Sequence, residues 1–430
     1  MQHTVLVDYE LVVAQQGFIV RALLKLEGKA PTPDHRVPLN LSIVLDRSGS
    51  MAGDKLAAAR DAAAMLVQRL HPDDTVSVVA YDDEVMTVAE PATGASQASL
   101  PAQVRAIQAG GSTNLSGGWL RGRELVARAK REGGVNRVML LTDGLANAGI
   151  TEPDKLLGLC RTACGTGITT TTIGFGADYD EKLLRGMADA GGASTWYIER
   201  PDQAGDVFAE ELAGLLTLCA QTVSVEIRPS GAVTLTAVRH QYPTTTLGTG
   251  GARLEIGDIY AREPKSVLAE FFVPALLDAN GDAGDVRVAE IAVMAHVLTE
   301  EGGVERQEIV FPVVSHLTAA GHAEPDVRRE MLLLDAARAR EDALRMRDEG
   351  NLGGAAAMLR AVAYDLRMAP GDGENASSLS EQALDLQDMA ARFAADEVSA
   401  ADAKYMAQRA YNAHRGKMAY EDKLSRRGKP

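Results

Sequence analysis

The sequence predicts an α/β fold: a doubly wound, mostly parallel sheet inserted in an antiparallel β-sandwich and followed by a C-terminal helical bundle. Three observations carry that prediction. Between residues 37 and 219, short apolar and β-branched runs alternate with longer helical runs, the pattern of a parallel sheet covered on both faces. At about Thr222 the pattern changes to strands separated by Gly, Pro and Asn turns, which signals a sandwich. From Glu324 the strands stop and four helical runs follow.

The elements follow in order. Residues 4–14 and 18–26 alternate as two strands joined at Gln15-Gln16-Gly17, a hairpin. The stretch 28–36, with Pro31, Pro33 and His35, is a connection. Residues 41–45 (LSIVL) form a strand that stops at Asp46-Arg47-Ser48-Gly49-Ser50, and the Ala-rich run 55–70 is the helix after it. Residues 75–81 (TVSVVAY) are a strand, turned by Asp82-Asp83-Glu84 into a short partner at 85–89. A modest helix at 100–107 precedes a helix at 115–130 and a strand at 138–142. Next come a helix at 153–164 and a strand at 168–175, ITTTTIGF, rich in β-branched residues. A helix at 180–190, a short strand at 195–198 and a closing helix at 201–219 complete the unit, with Pro201 suited to a first helical turn.

Strands are then expected over 223–228, 233–239, 252–259, 266–273, 285–298 and 305–314. These six and the two amino-terminal strands make a complete sandwich, so the α/β unit is an insertion. Helices are expected over 325–349, 353–367, 379–395 and 400–419. Gly350-Asn351-Leu352-Gly353 breaks the first from the second, giving a hairpin that faintly resembles a tetratricopeptide unit. Ser378-x-x-Glu381 and Ser399-x-x-Asp402 look like capped helix starts, the former the better match. Residues 370–375 are a polar linker and 415–430 a frayed, basic end. The implied divisions are 1–36, a hairpin belonging to the sandwich; 37–220, the α/β unit; 221–318, the sandwich; and 319–430, the helical region.

The totals exclude several classes. A net charge of −15 argues against a nucleic-acid role resting on phosphate neutralisation. Nowhere do about 18 apolar residues run together, so no membrane span is expected. Asp8 and Glu10 interrupt the first apolar run and no basic segment precedes it, so no secretory signal is visible. Three cysteines are too few for a disulfide framework. A cytoplasmic, reduced setting is the expectation.

The stretch most informative about function is LNLSIVLDRSGSM, residues 39–51. Strand, tight polar turn and helix open a βα unit, and in an open α/β sheet ligands bind at the carboxyl ends of strands. One carboxylate and two hydroxyls, Asp46, Ser48 and Ser50, sit two residues apart and offer only oxygen, the donor of a hard cation. Gly110-Gly111-Ser112-Thr113-Asn114 adds the Thr113 hydroxyl in a Gly-permitted turn, and the strand 138–142 ends at Asp143-Gly144. Asp, Ser and Gly after a strand are also ordinary N-caps and turn formers. The ordered set on three separate turns is what distinguishes a site from them.

Asp-x-Ser-x-Ser, then a Thr in a Gly-rich turn, then Asp-Gly after a strand resembles the metal-ion-dependent adhesion site of von Willebrand factor A (VWA) domains. The resemblance covers roughly residues 37–220, and all five site positions match in order. It implies a site for Mg²⁺ or Mn²⁺ in which Ser48, Ser50 and Thr113 bind the ion directly or through water. Asp46 and Asp143 would act largely through water and hydrogen bonds. Few direct negative charges leave such an ion electron-poor, which favours an Asp or Glu from a protein partner at its open position. The helix starting near Ala52 adds positive potential, and Gly49 and Gly110-Gly111 let the backbone approach closely. Bacterial proteins of this kind and inter-alpha-trypsin-inhibitor heavy chains look similar in placing a β-rich segment beside the unit.

The expected function is a divalent-metal-dependent protein–protein interaction module, not an enzyme. The alternative is a regulatory or adaptor subunit of an AAA-type ATPase of the MoxR or chelatase kind, since no phosphate-binding loop is present here. A hydrolase using Asp46 and Asp143 as acid and base needs a second metal or a nucleophile, and neither is visible; a haloacid-dehalogenase-like phosphatase would want Asp where Ser48 stands.

Other residues receive plainer readings. Arg47 points to solvent, and Asp82-Asp83-Glu84 and Glu210-Glu211 are solvated faces. Asp278–Asp285 has calcium-loop spacing at its start but Ala283 and Ala289 where Gly and Glu are needed, so it reads as a hairpin turn. Cys160 and Cys164 lack partners for a zinc site and read as small buried apolar residues. The eight histidines, His240, His296, His316 and His322 among them, form no metalloprotease motif.

Overall fold

The structure is a computed structural model that describes residues 1–9, 17–29, 37–176, 179–261, 263–274, 282–299, 303–318, 322–369 and 373–416. The amino-terminal strands β1 (Gln2–Tyr9) and β2 (Phe18–Glu27) pair antiparallel, Thr4 opposite Lys25. The turn expected at Gln15-Gln16, the Pro31–Pro33 connection, most of the Asp278 loop, part of the 370–375 linker and the chain end beyond Gly416 lie outside the described residues.

The α/β unit then runs β3 (Leu39–Asp46), α1 (Asp54–Arg69), β4 (Thr75–Tyr81), β5 (Val85–Thr93), α2 (Leu100–Arg105), α3 (Leu115–Arg128), β6 (Val135–Thr142), α4 (Pro153–Gly165), β7 (Ile168–Phe175), α5 (Glu181–Ala190), β8 (Gly192–Ile198) and α6 (Ala204–Leu216). The sheet order is β5-β4-β3-β6-β7-β8, parallel throughout except for β5, which is antiparallel to β4. Every residue of β3, β4, β6 and β7 is buried. That is why these strands read as unbroken apolar or β-branched runs: helices cover both faces. On one face Leu41, Ile43 and Leu45 pack with Leu56, Ala59, Ala63, Phe208 and Leu212 of α1 and α6. On the other, Val44, Val138 and Leu140 meet Trp119, Leu125, Leu156, Leu184 and Met187 of α3, α4 and α5. The direction of winding reverses between β3 and β6, so their carboxyl ends open a crevice at the topological switch point.

After α6 the chain becomes antiparallel: β9 (Leu218–Pro229), β10 (Thr234–Val238), β11 (Thr244–Thr246), β12 (Ala252–Tyr260), β13 (Lys265–Val273), β14 (Asp282–Leu298) and β15 (Val304–Thr318). Two sheets form, β1-β2-β13-β10 and β11-β12-β9-β14-β15. β2 pairs with β13 from Phe18 opposite Val273 to Leu26 opposite Lys265, so the α/β unit is inserted between two strands of the sandwich. Val20, Leu24, Val225, Ile227, Leu254, Phe271 and Ile291 fill the space between the sheets. Among the described residues seven strands follow the insertion rather than the six expected. The extra one, β11, is three exposed threonines and carries no apolar alternation to mark it.

The helix expected to run from Pro201 to Cys219 ends at Leu216, and β9 starts at Leu218. Composition stays apolar across this junction, so nothing local separates the last turn from the first strand residue. Here the two units also share a buried ionic cluster. Arg137 of β6, with no exposed side-chain surface, donates to Glu211 Oε1 of α6 (3.1 Å), to the Tyr260 hydroxyl of β12 (3.1 Å) and to Asp258. Thr171 and Trp196 donate further bonds to the Glu211 carboxylate, at 2.6 and 2.7 Å. Glu211 is therefore an interior residue and not the solvated one expected.

The carboxyl-terminal helices are α7 (Pro325–Asp348), α8 (Leu352–Met368), α9 (Gly373–Ala395) and α10 (Ala400–His414). α7 faces two ways. Val327 and Leu334 pack on Leu23 and Leu268 of the sandwich, while Leu333 and Ala336 join Leu359, Leu386 and Phe393 in the helical core. α10 returns to the α/β unit, where Tyr411 donates to Asp189 of α5 at 2.6 Å and Arg185 lies 4.9 Å over the Tyr411 ring. The Lys404 ammonium stands 3.7 Å from the Tyr179 ring centroid. Ser399 and Asp402 form the reciprocal capping pair, at 3.0 and 2.9 Å. Ser378 caps nothing: α9 begins at Gly373 and places it inside the helix. Among the described residues no helix is long and apolar enough to cross a membrane.

Candidate metal centre

The loop after β3 is shaped by Asp46, which has no exposed surface. Its Oδ1 accepts the Ser48 backbone N–H at 2.8 Å and its Oδ2 the Thr142 hydroxyl at 2.5 Å. Asp46 thus ties the end of β3 to the end of β6. Burial pushes its pKa up, and the hydrogen bonds from Ser48 and Thr142 offset only part of that rise. Residues Gly49–Met51 make a single tight turn, and α1 begins at Asp54, between the start near Ala52 and the run from Lys55 that the sequence suggested. In that turn Ser48 Oγ lies 3.1 Å from Ser50 Oγ, and Ser50 Oγ donates to Asp143 Oδ1 at 2.7 Å.

Thr113 arrives from the turn before α3. Its carbonyl accepts N–H bonds from Asn147 and Ala148, 3.1 and 3.2 Å, which lock this turn to the loop after β6. Its hydroxyl and that of Ser50 converge over Gly144, 3.3 and 3.8 Å from where a Cβ would stand there. Asp143, also fully buried, completes the group: Oδ1 faces Ser50, and Oδ2 lies 2.6 Å from the ammonium of Lys55. The structure thus brings all five sequence-derived residues to one rim of the sheet. Oxygen is the only donor type in the set, which suits a hard divalent cation. The demand for positive charge at buried Asp143 is met here by Lys55. Among the described residues no three of His, Cys, Asp or Glu gather as a ligand cluster.

Three supporting residues escaped the sequence reading. Asp82, 3% exposed, is no solvated turn residue. It accepts the backbone N–H of Glu84 (2.8 Å) and of Gly111 (2.9 Å), and Arg47 pairs with it at 2.9 Å instead of pointing to solvent. Burial opposes its charge, but those N–H donors and the guanidinium outweigh it and hold the carboxyl below its usual value. The second residue is Arg47 itself, whose carbonyl accepts the Gly110 N–H at 2.7 Å while Gly49 N–H bonds Gly111 O at 2.8 Å. A Cβ on Gly110 would stand 1.7 Å from Asp82 Oδ2, so this contact needs glycine. The Gly49 backbone also comes close to Gly111, but a Cβ on Gly49 would meet only ordinary contacts, the nearest 3.6 Å away, so this approach does not require glycine. The third is Lys55. A signal for Asp82 was present: like Asp46 and Asp143, it stands at the carboxyl end of a parallel strand, here β4, the neighbour of β3.

The remaining candidates are structural. Burial pushes the Cys160 and Cys164 thiols up to about 12. His240 accepts the Leu268 N–H on Nδ1 (3.0 Å) and lies 3.1 Å from Glu330 through Nε2, which holds α7 to the sandwich.

Known proteins resemble this chain in sequence and in fold. The family model of the von Willebrand factor type A domain matches residues 40–210. An uncharacterized protein of Synechocystis sp., sll0103, is 29% identical over 273 residues, 62% of this chain and 64% of its own length. Human inter-alpha-trypsin inhibitor heavy chain H3 is 31% identical over 160 residues, 35% of this chain and 18% of that protein. The chain thus spans less than two thirds of the length of these relatives. A solved von Willebrand factor type A protein from Catenulispora acidiphila superposes with a TM-score of 0.68, covering 94% of this chain and 95% of its own, at 18% identity. That likeness extends over sandwich, insertion and helices alike.

Proposed function

Residues 40–210 being a von Willebrand factor type A domain, a unit commonly engaged in protein–protein interaction, we propose that it binds a protein partner through a divalent metal held at the rim of β3 and β6. The observation that carries this reading is the meeting of Ser48, Ser50 and Thr113 beside buried Asp143. A bound Mg²⁺ or Mn²⁺ would supply an electron-poor centre open to an Asp or Glu carboxylate. The three hydroxyls would hold the ion without cancelling its charge, and Asp46 would orient the loop that presents two of them. Asp143 would keep Ser50 aimed inward. Asp82 and Arg47 would keep the Thr113 turn closed against the Ser48 turn.

In the test, Mg²⁺ should raise the melting temperature of the wild type and leave Asp46→Ala and Thr113→Ala unmoved, while both variants keep a native circular dichroism spectrum. Partner capture by the wild type should fail in EDTA. Variants that retain chelator-sensitive capture, or a wild type that captures equally with and without EDTA, would end the reading.

A further inference from the structure

Lys55 occupies the second position of α1, the end of a helix at which the backbone dipole is unfavourable to a cation. Asp54 before it suits that end; Lys55 does not serve the helix. Its stem passes 3.5 Å from where a Cβ on Gly176, just beyond β7, would stand, and its ammonium reaches Asp143 Oδ2 at 2.6 Å. Asp143 has no exposed surface, whereas the Lys55 side chain is 29% exposed. The ammonium therefore has a way out to solvent on a flexible four-carbon stem, and the carboxylate has none. Ser50 takes the other oxygen of Asp143. The carboxylate that bonds the hydroxyl group is thus already neutralised by a cation built into the chain.

We propose that Lys55 is a tethered competitor for the metal site: its ammonium balances Asp143 while no ion is bound and is displaced to solvent when a divalent ion loads. This rests on the metal-site reading above and adds what sets the strength of the site. Two cations drawn to one small buried carboxylate repel each other, so loading the ion must include releasing the lysine. Each weakens the hold of the other by the same factor. A site so arranged holds its ion less tightly than the oxygen set alone would.

The test titrates Mn²⁺ alone into the full chain by calorimetry, with the wild type and Lys55→Met side by side. One Mn²⁺ should bind to each, about tenfold tighter in the variant, and the metal-free variant should melt below the wild type until Mn²⁺ restores it. In parallel, reductive methylation of Lys55 in the wild type, read by mass spectrometry, should quicken when Mn²⁺ saturates the site. Equal affinities, or a methylation rate at Lys55 that saturating Mn²⁺ leaves unchanged, overturn the inference and leave the metal site standing. Binding of Mn²⁺ by neither protein overturns both. Binding by Lys55→Met alone supports the competition and removes the metal from the wild-type function. Should the variant not fold, the methylation rate in the wild type decides the matter.

Discussion

Asp82 offers the sharpest test of how the candidate site is held together, because it touches no proposed ligand and yet fixes the turn that carries one. In Asp82→Ala the N–H groups of Glu84 and Gly111 and the Arg47 guanidinium lose a shared acceptor at 2.8, 2.9 and 2.9 Å. Each hydrogen bond to a charged group is worth about 1.5–3 kcal/mol when buried. Glu84 and Gly111 lie at the surface and Arg47 is 18% exposed, so water repays much of the loss. The net cost should be about 2–3 kcal/mol. For a unit the size of residues 40–210 that lowers the melting temperature by about 4–12 °C.

The same carboxyl predicts the pH dependence. Its folded-state pKa lies below the ordinary 3.8, so the stability it adds is complete above that value and is lost as pH falls through the lower, folded-state one. Thermal melts of wild type and Asp82→Ala should therefore differ by a constant amount from neutral pH down to mild acid and then converge. The rise in melting temperature with Mn²⁺ should shrink in the variant as the Thr113 turn loosens. A variant that melts with the wild type, or a gap that widens on acidification, would refute the positioning role.

The other expectations are independent of that one. Arg137→Ala leaves Glu211 and Asp258 buried without their cation, and urea denaturation should show a loss of about 3–5 kcal/mol; an unchanged midpoint would mean the cluster is not the joint between the α/β unit and the sandwich. Gly110→Ala drives a methyl group into buried Asp82, whereas Gly111→Ala meets the exposed end of Asp83. The first should lower the melting temperature clearly and the second hardly at all, and equal losses would speak against the geometry of the turn. With their thiols raised to about 12, Cys160 and Cys164 should resist a maleimide at neutral pH in the folded chain and react once denatured. Rapid labelling of Cys160 before unfolding would contradict its burial, whereas Cys164 is half-buried and should stay slow through its raised pKa alone.

What the amino-acid order determined alone was whatever depends on neighbours along the chain. The unbroken apolar or β-branched strands at 41–45, 138–142 and 168–175 announced a sheet covered on both faces. The turn residues after two of those strands, with Thr113 in its Gly-rich turn, marked one rim of that sheet. Helix starts were less legible: Ser399 and Ser378 carry similar local patterns, and only the longer reach of α9 tells the cap from an interior serine.

Tertiary structure decided the fate of the charges. Arg47 and Asp82, Lys55 and Asp143, and Arg137 with Glu211 and Asp258 are pairs and groups whose members lie far apart in sequence. A charged residue read alone belongs on the surface, since burying it without a partner costs several kcal/mol. Whether that partner exists is settled only when distant strands and helices come together, and so Arg47, Asp82 and Glu211 looked solvated until the fold supplied their counter-charges.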